Sequence, residues 1–217
     1  MSDADLNPAA ESTESAATPT RKRPKPGERR IQILQALASM LEQPGAERIT
    51  TAALAAKLEV SEAALYRHFA SKAQMFEGLI EFIEQAVFTL VNQIAEREAG
   101  ATDPAAGARH AGKVVTMLLQ FAEKNPGMVR VMVGDALVYE NERLQQRMNQ
   151  FFDKIEATLK QCLREGTAGS ATPTADAQVQ ASVLTAFVVG RLQRFARSGF
   201  RRAPTEHLDA SLGQMLR

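Results

Sequence analysis

Residues 50–72 read Thr-Thr-Ala-Ala-Leu-Ala-Ala-Lys-Leu-Glu-Val-Ser-Glu-Ala-Ala-Leu-Tyr-Arg-His-Phe-Ala-Ser-Lys and gather side chains that can grip a polyanion. Thr50 and Thr51 bring hydroxyls to the start of one short helix, and Ser61 does so for a second. Amides and hydroxyls at helix starts suit phosphate oxygens, and Lys72 adds a charge where a third helix opens. Between them Glu62, Ala63, Tyr66, Arg67 and His68 take outward positions on a short helix. A helix fits the major groove with its first residues nearest the base edges. The chemistry on offer is nucleic-acid recognition.

Catalysis finds little support. His68, His110 and His207 lie far apart, and His68 already belongs to the segment above. No His, Cys or Asp spacing suggests a metal site, and Cys162 falls on an apolar helical stripe where cysteine is usually inert core. The phosphate-loop pattern Gly-x-x-x-x-Gly-Lys-Ser/Thr is absent from the thirteen glycines. We therefore expect no catalytic residue, no metal and no cofactor. A lone cysteine fits a reducing compartment. No apolar run reaches the roughly 18–20 residues that cross a bilayer, and the first twenty residues lack the cations and apolar block of a secretory signal. The expectation is a cytoplasmic, nucleoid-associated protein without a membrane partner.

The elements that must carry these residues are helices throughout. One starts near Glu28, buries Ile31, Leu34, Leu37, Ala38 and Leu41 at helical period, and stops at Pro44-Gly45. A second runs from Thr51 to Leu58 with Thr50 as its N-cap, and a third from Ser61, also an N-cap, to about His68. Two short helices with a tight turn and inward small residues (Ala52, Ala55, Ala56) make a helix-turn-helix, with Leu54, Leu58, Val60, Leu65 and Phe69 as its shared core. A long helix follows from Ser71-Lys72 to Glu98, then a loop at 99–107. Helices are expected at 108–123, 127–137, 140–165 and 176–198, a second loop at 166–174, and at most a short helix after Pro204.

The net charge of +1 conceals an uneven distribution. Residues 1–20 hold four acids and no Lys or Arg, residues 21–72 hold ten Lys or Arg against five acids, and the remainder is balanced. Such a basic block, with Arg21, Lys22, Arg23, Lys25, Arg29 and Arg30 leading into the first helix, is either a solvated face or the footprint of a polyanion. The tail, 1–27, is rich in Ala, Ser, Thr and Pro and is read as disordered. Residues 28–75 form the helix-turn-helix domain and 76–217 a helical dimerisation and partner-binding domain.

The register Thr51-x-x-Leu54-Ala55, then Val60-Ser61-x-x-x-Leu65-Tyr66-x-His68-Phe69-x-x-Lys72, resembles the N-terminal DNA-binding domain of TetR-family regulators. Glu59 stands where that family usually has a turn glycine, so its backbone should be left-handed and strained. Further blocks at 61–69, 79–84, 123–127, 143–152 and 194–200 resemble the nucleoid-occlusion branch of the family. The resemblance implies an all-α, TetR-like homodimer that binds palindromic sites in double-stranded DNA. It implies further that the bound dimer antagonises polymers of the division protein FtsZ.

In the second domain, Phe76, Leu79, Ile80, Ile83, Val87, Leu90, Val91 and Ile94 share one helical stripe. Phe82 and Phe88 flank it; both could be buried, or Phe82 could line a groove for the FtsZ tail with Lys124 and Asn125 beside it. For the dimer interface the apolar stripes of the last two long helices point to Phe151, Ile155, Leu159, Val183, Phe187 and Gly190, against the alternative of ordinary intrachain core. Arg191, Arg194, Arg197, Arg201 and Arg202 are a solvated or paired face, or a contact for acidic FtsZ surface. Two rival functions stay open. One is a TetR-type transcriptional repressor released by a small-molecule effector, with Met117, Phe121, Met128, Met132 and Phe152 lining a pocket or merely core. The other is a packing protein indifferent to DNA sequence.

Overall fold

The computed structural model describes residues 27–43, 49–100, 105–166 and 173–216. The basic run at 21–25, the Pro44-Gly45 stop, most of the tail and most of the 166–174 loop lie outside the described residues. Within them the chain is all-α, with no strand.

The head consists of α1 (Glu28–Leu41), α2 (Thr51–Lys57) and α3 (Glu62–Tyr66). Ile33, Leu34, Leu37 and Leu41 of α1 share one core with Leu54, Ala55, Leu65 and Phe69, all buried. The apolar face of α1 sits slightly differently from the sequence expectation: Ile33 is buried and Ile31 is 49% exposed. Of the three small residues expected to face inward only Ala55 does so, while Ala52 and Ala56 are exposed and Leu58 and Val60 are half-buried. A helix of seven residues has barely two turns and so presents few positions to the core. Glu59 has φ 53°, the left-handed turn its position requires.

Helix α4 (Lys72–Glu98) runs from head into body without a break, so the expected 75/76 boundary falls inside a helix. Its stripe is buried at Phe76, Leu79, Ile80, Ile83, Val87 and Val91, with Leu90 and Ile94 half-buried. The body adds α5 (Ala106–Lys124), α6 (Pro126–Met132), α7 (Glu142–Gly166), α8 (Pro173–Arg197) and α9 (Leu208–Met215). The expected 127–137 helix ends early. Gly134 is left-handed at φ 84°, and only a 3-10 turn, Asp135–Leu137, follows.

Head and body meet where α6 abuts α1. A Cβ on Gly127 would lie 1.9 Å from the carbonyl oxygen of Ala38, so only glycine lets the helices approach this closely. Gly78 of α4 serves similarly, with Phe69 and Leu34 against its bare face. Ion pairs also tie α4 to α7 and the turn before it: Lys72 with Glu140, Glu77 with Arg143, and Glu84 with both Arg147 and Lys154. At the far end of α4 Lys113 bonds Glu98. This hydrogen bond, aided by the charges of Arg109 and His110, holds the Glu98 carboxyl below its ordinary range.

Candidate nucleic-acid interface and partner groove

Three consecutive helices, α2 to α4, begin on capping hydroxyls. Thr50 accepts from the Ala53 amide at 3.1 Å, Ser61 from Ala64 at 3.2 Å and Ser71 from Gln74 at 3.2 Å. Thr51 and Glu62, both expected to meet DNA, meet each other: the Thr51 hydroxyl donates to the Glu62 carboxylate at 2.6 Å. That bond joins the starts of α2 and α3.

Helix α3 stands on the surface. Leu65 anchors it beneath, while Ser61, Glu62, Ala63, Arg67 and His68 are exposed and Tyr66 shows 46% of its surface. It is shorter than the sequence predicts, ending at Tyr66, because the chain must turn to seat Phe69 in the core. Arg30 holds this end. Its guanidinium donates to the His68 carbonyl at 3.1 Å and lies 4.1 Å from the centre of the Phe69 ring. In the sequence Arg30 reads only as part of a basic run, and the 38-residue separation from His68 hides this role. Lys72 is half-buried at the start of α4, its ammonium 2.5 Å from the Glu140 carboxylate.

A second surface lies where α1, α4 and α6 converge. Phe82, 38% exposed, lines a small cleft with Ile31, Leu34, Gln35, Leu79 and Met128. At the junction of α5 and α6, Asn125 caps α5 by donating to the Phe121 carbonyl at 2.7 Å, and Lys124 is exposed. Ile31, which helical period alone assigns to the core, adds apolar surface to this cleft. Phe88, by contrast, turns inward against Phe151, ring centres 5.8 Å apart.

The expected dimer residues divide. Phe151, Ile155 and Leu159 are each 0% exposed, packed inside their own chain, and cannot touch a partner; that assignment is corrected. The stripe on α7 is long because α4, α5 and α8 cover it at once. Val183 is 50% exposed, Val179 65%, and Phe187 and Gly190 are half-buried along α8. Between α6, α7 and α8 is a cavity of about 470 Å³ lined by Met132, Gly134, Val138, Asn149, Phe152 and Val189 among others. Met117 and Phe121 instead pack against the core. In the arginine cluster Arg191 bonds Ser211, Arg201 the Ser198 carbonyl and Arg202 Glu206, while Arg194 and Arg197 are exposed. Among the described residues no cluster of three His, Cys, Asp or Glu is placed to hold a metal, and no helix is long and apolar enough to cross a membrane.

A capped helix-turn-helix head joined by one long helix to an all-helical body defines a class of bacterial regulator. Residues 33–79 match the bacterial regulatory proteins of the tetR family, and residues 109–216 a tetracyclin repressor-like C-terminal domain of the SlmA-like kind. Solved structures agree on the fold. The fatty acid degradation regulator FadR from Bacillus halodurans superposes with TM-score 0.71 over 89% of this chain and 97% of its own, at 17% identity.

Sequence relatives are far nearer. The nucleoid occlusion factor SlmA of Idiomarina loihiensis is 50% identical over 84% of this chain and 90% of its own length, and that of Aliivibrio fischeri 50% identical over 86% and 93%. The chain belongs to the SlmA family of nucleoid occlusion factors.

Proposed function

We propose that this chain is a nucleoid occlusion factor that binds palindromic chromosomal sites as a homodimer and, so bound, antagonises FtsZ polymers over the nucleoid. The observation that carries the reading is the half identity to SlmA relatives across both domains, joined to an α3 presented as a fixed outward-facing helix. Tyr66, Ala63, Arg67 and His68 face the base edges in this reading. Thr50, Ser61 and Lys72 meet the phosphates, and Thr51 and Glu62 set the helix pose. Pairing along α8 through Val183, Phe187 and Gly190 repeats the head at a spacing near one DNA turn, roughly 34 Å. The cleft around Phe82, with Lys124 and Asn125 as its polar neighbours, receives the FtsZ tail.

The test is light scattering of assembling FtsZ with this protein, with and without a palindromic duplex that the protein itself has selected from a random pool. The duplex should deepen the loss of polymer signal, and Phe82→Ala with Lys124→Glu should abolish that loss while leaving DNA affinity unchanged. An unaltered FtsZ signal in every arm would refute the reading. An effector-released repressor is the second reading, favoured by the cavity beside Phe152; a small molecule that fills it and lowers DNA affinity would establish it.

A further inference from the structure

Lys72 does two things at once in this chain. Its backbone opens α4 at the edge of the DNA-reading head, and its ammonium is held by Glu140 of the body. The carboxylate is the more enclosed partner: Glu140 shows 11% of its side-chain surface against 32% for Lys72. The Phe76 ring, 5.7 Å away, covers the same ammonium. Of the ion pairs described above between α4 and the α7 region, this one lies nearest the head. It is also the one whose cation sits on α4; in the others α4 supplies the carboxylate.

We propose, resting on the reading that Lys72 contacts phosphate, that Glu140 is a positioning residue that competes with the DNA backbone for Lys72, so that duplex binding takes the lysine from the body. The carboxylate at 2.5 Å already neutralises the ammonium, so a phosphate oxygen that draws on the same charge does so at the expense of that bond. The carboxylate left behind also repels the incoming anion. Glu140 belongs to the link between α6 and α7, its amide bonded to the Leu137 carbonyl at 3.0 Å. Gly134, at the start of that link, is left-handed and lines the body's cavity beside Val138.

A double-mutant cycle on the full-length protein decides it, with affinities for a selected palindrome and for random duplex read across a salt series. Glu140→Gln should tighten binding to both duplexes about two- to fivefold. It should also steepen the salt slope by up to about 0.9, because in the wild type the carboxylate that Lys72 leaves takes up a cation and so offsets the counterion released from the phosphate, whereas a glutamine takes up none. In a Lys72→Gln background only the repulsion of the free carboxylate remains to be removed, so Glu140→Gln should change both quantities by less than half as much, and an equal change in the two backgrounds would overturn the competition. If Lys72→Gln weakens both duplexes but Glu140→Gln leaves affinity and slope unaltered, the competition is overturned while the phosphate contact stands. If Lys72→Gln itself costs no affinity, the underlying contact fails and the competition with it.

Discussion

Gly127 presses its bare α-carbon against the backbone of Ala38, so that an added methyl carbon would sit 1.9 Å from the Ala38 carbonyl oxygen and 2.8 Å from its carbon. Backbone cannot move aside as a flexible side chain can. Gly127→Ala should force α6 off α1 and destabilise the protein by about 2–4 kcal/mol, read as a fall in the thermal midpoint. Gly213→Ala in α9, where a Cβ meets nothing within 4 Å, should raise stability by about 0.5–1 kcal/mol.

Arg30 braces the end of α3 through both the His68 carbonyl and the Phe69 ring. Arg30→Lys keeps the charge but loses the planar fork. It should lower affinity for a selected palindrome by about 1 kcal/mol while random duplex, which senses charge alone, changes little. Equal losses on both would make Arg30 a simple phosphate contact.

Glu59 occupies a left-handed turn at φ 53°. Glu59→Gly should remove the strain and stabilise the head by up to about 1 kcal/mol, measured by denaturant unfolding with the slope unchanged.

Helices α8 and α7 should respond oppositely to mutation. Val183→Glu, on a half-exposed side chain, should yield folded monomers in sedimentation at micromolar concentration. Phe151→Ala, fully buried, should instead cost about 3–5 kcal/mol of stability.

Glu98 contributes through a carboxylate whose pKa is lowered in the fold by the Lys113 hydrogen bond. A lowered folded pKa means that this contribution is complete above the ordinary glutamate range and fades as pH falls through the folded value. Glu98→Gln should therefore lower the thermal midpoint at neutral pH, and the difference from wild type should shrink steadily in acid.

Much of the head is legible in the sequence because its signals are local. Capping hydroxyls at Thr50 and Ser61 act on amides three residues away, and the Leu54/Leu65/Phe69 pattern lies within one short window. What the sequence hides is long-range. Arg30 with His68, Lys72 with Glu140 and Gly127 with Ala38 each join residues whose spacing carries no period. The placing of Phe151, Ile155 and Leu159 in an interface fails for the same reason. An apolar stripe states that a face is covered but not whether the same chain or another copy covers it. Ile31 fails at the stripe's edge, where a small helical rotation decides between core and cleft.

The presentation of α3 is tested most directly by titrating wild-type protein and Tyr66→Ala against a selected palindrome and a scrambled duplex of equal length at fixed salt. Tyr66→Ala is expected to lose about 1–3 kcal/mol on the palindrome and almost nothing on the scrambled duplex. Equal losses on the two duplexes would contradict a sequence-reading role for this helix.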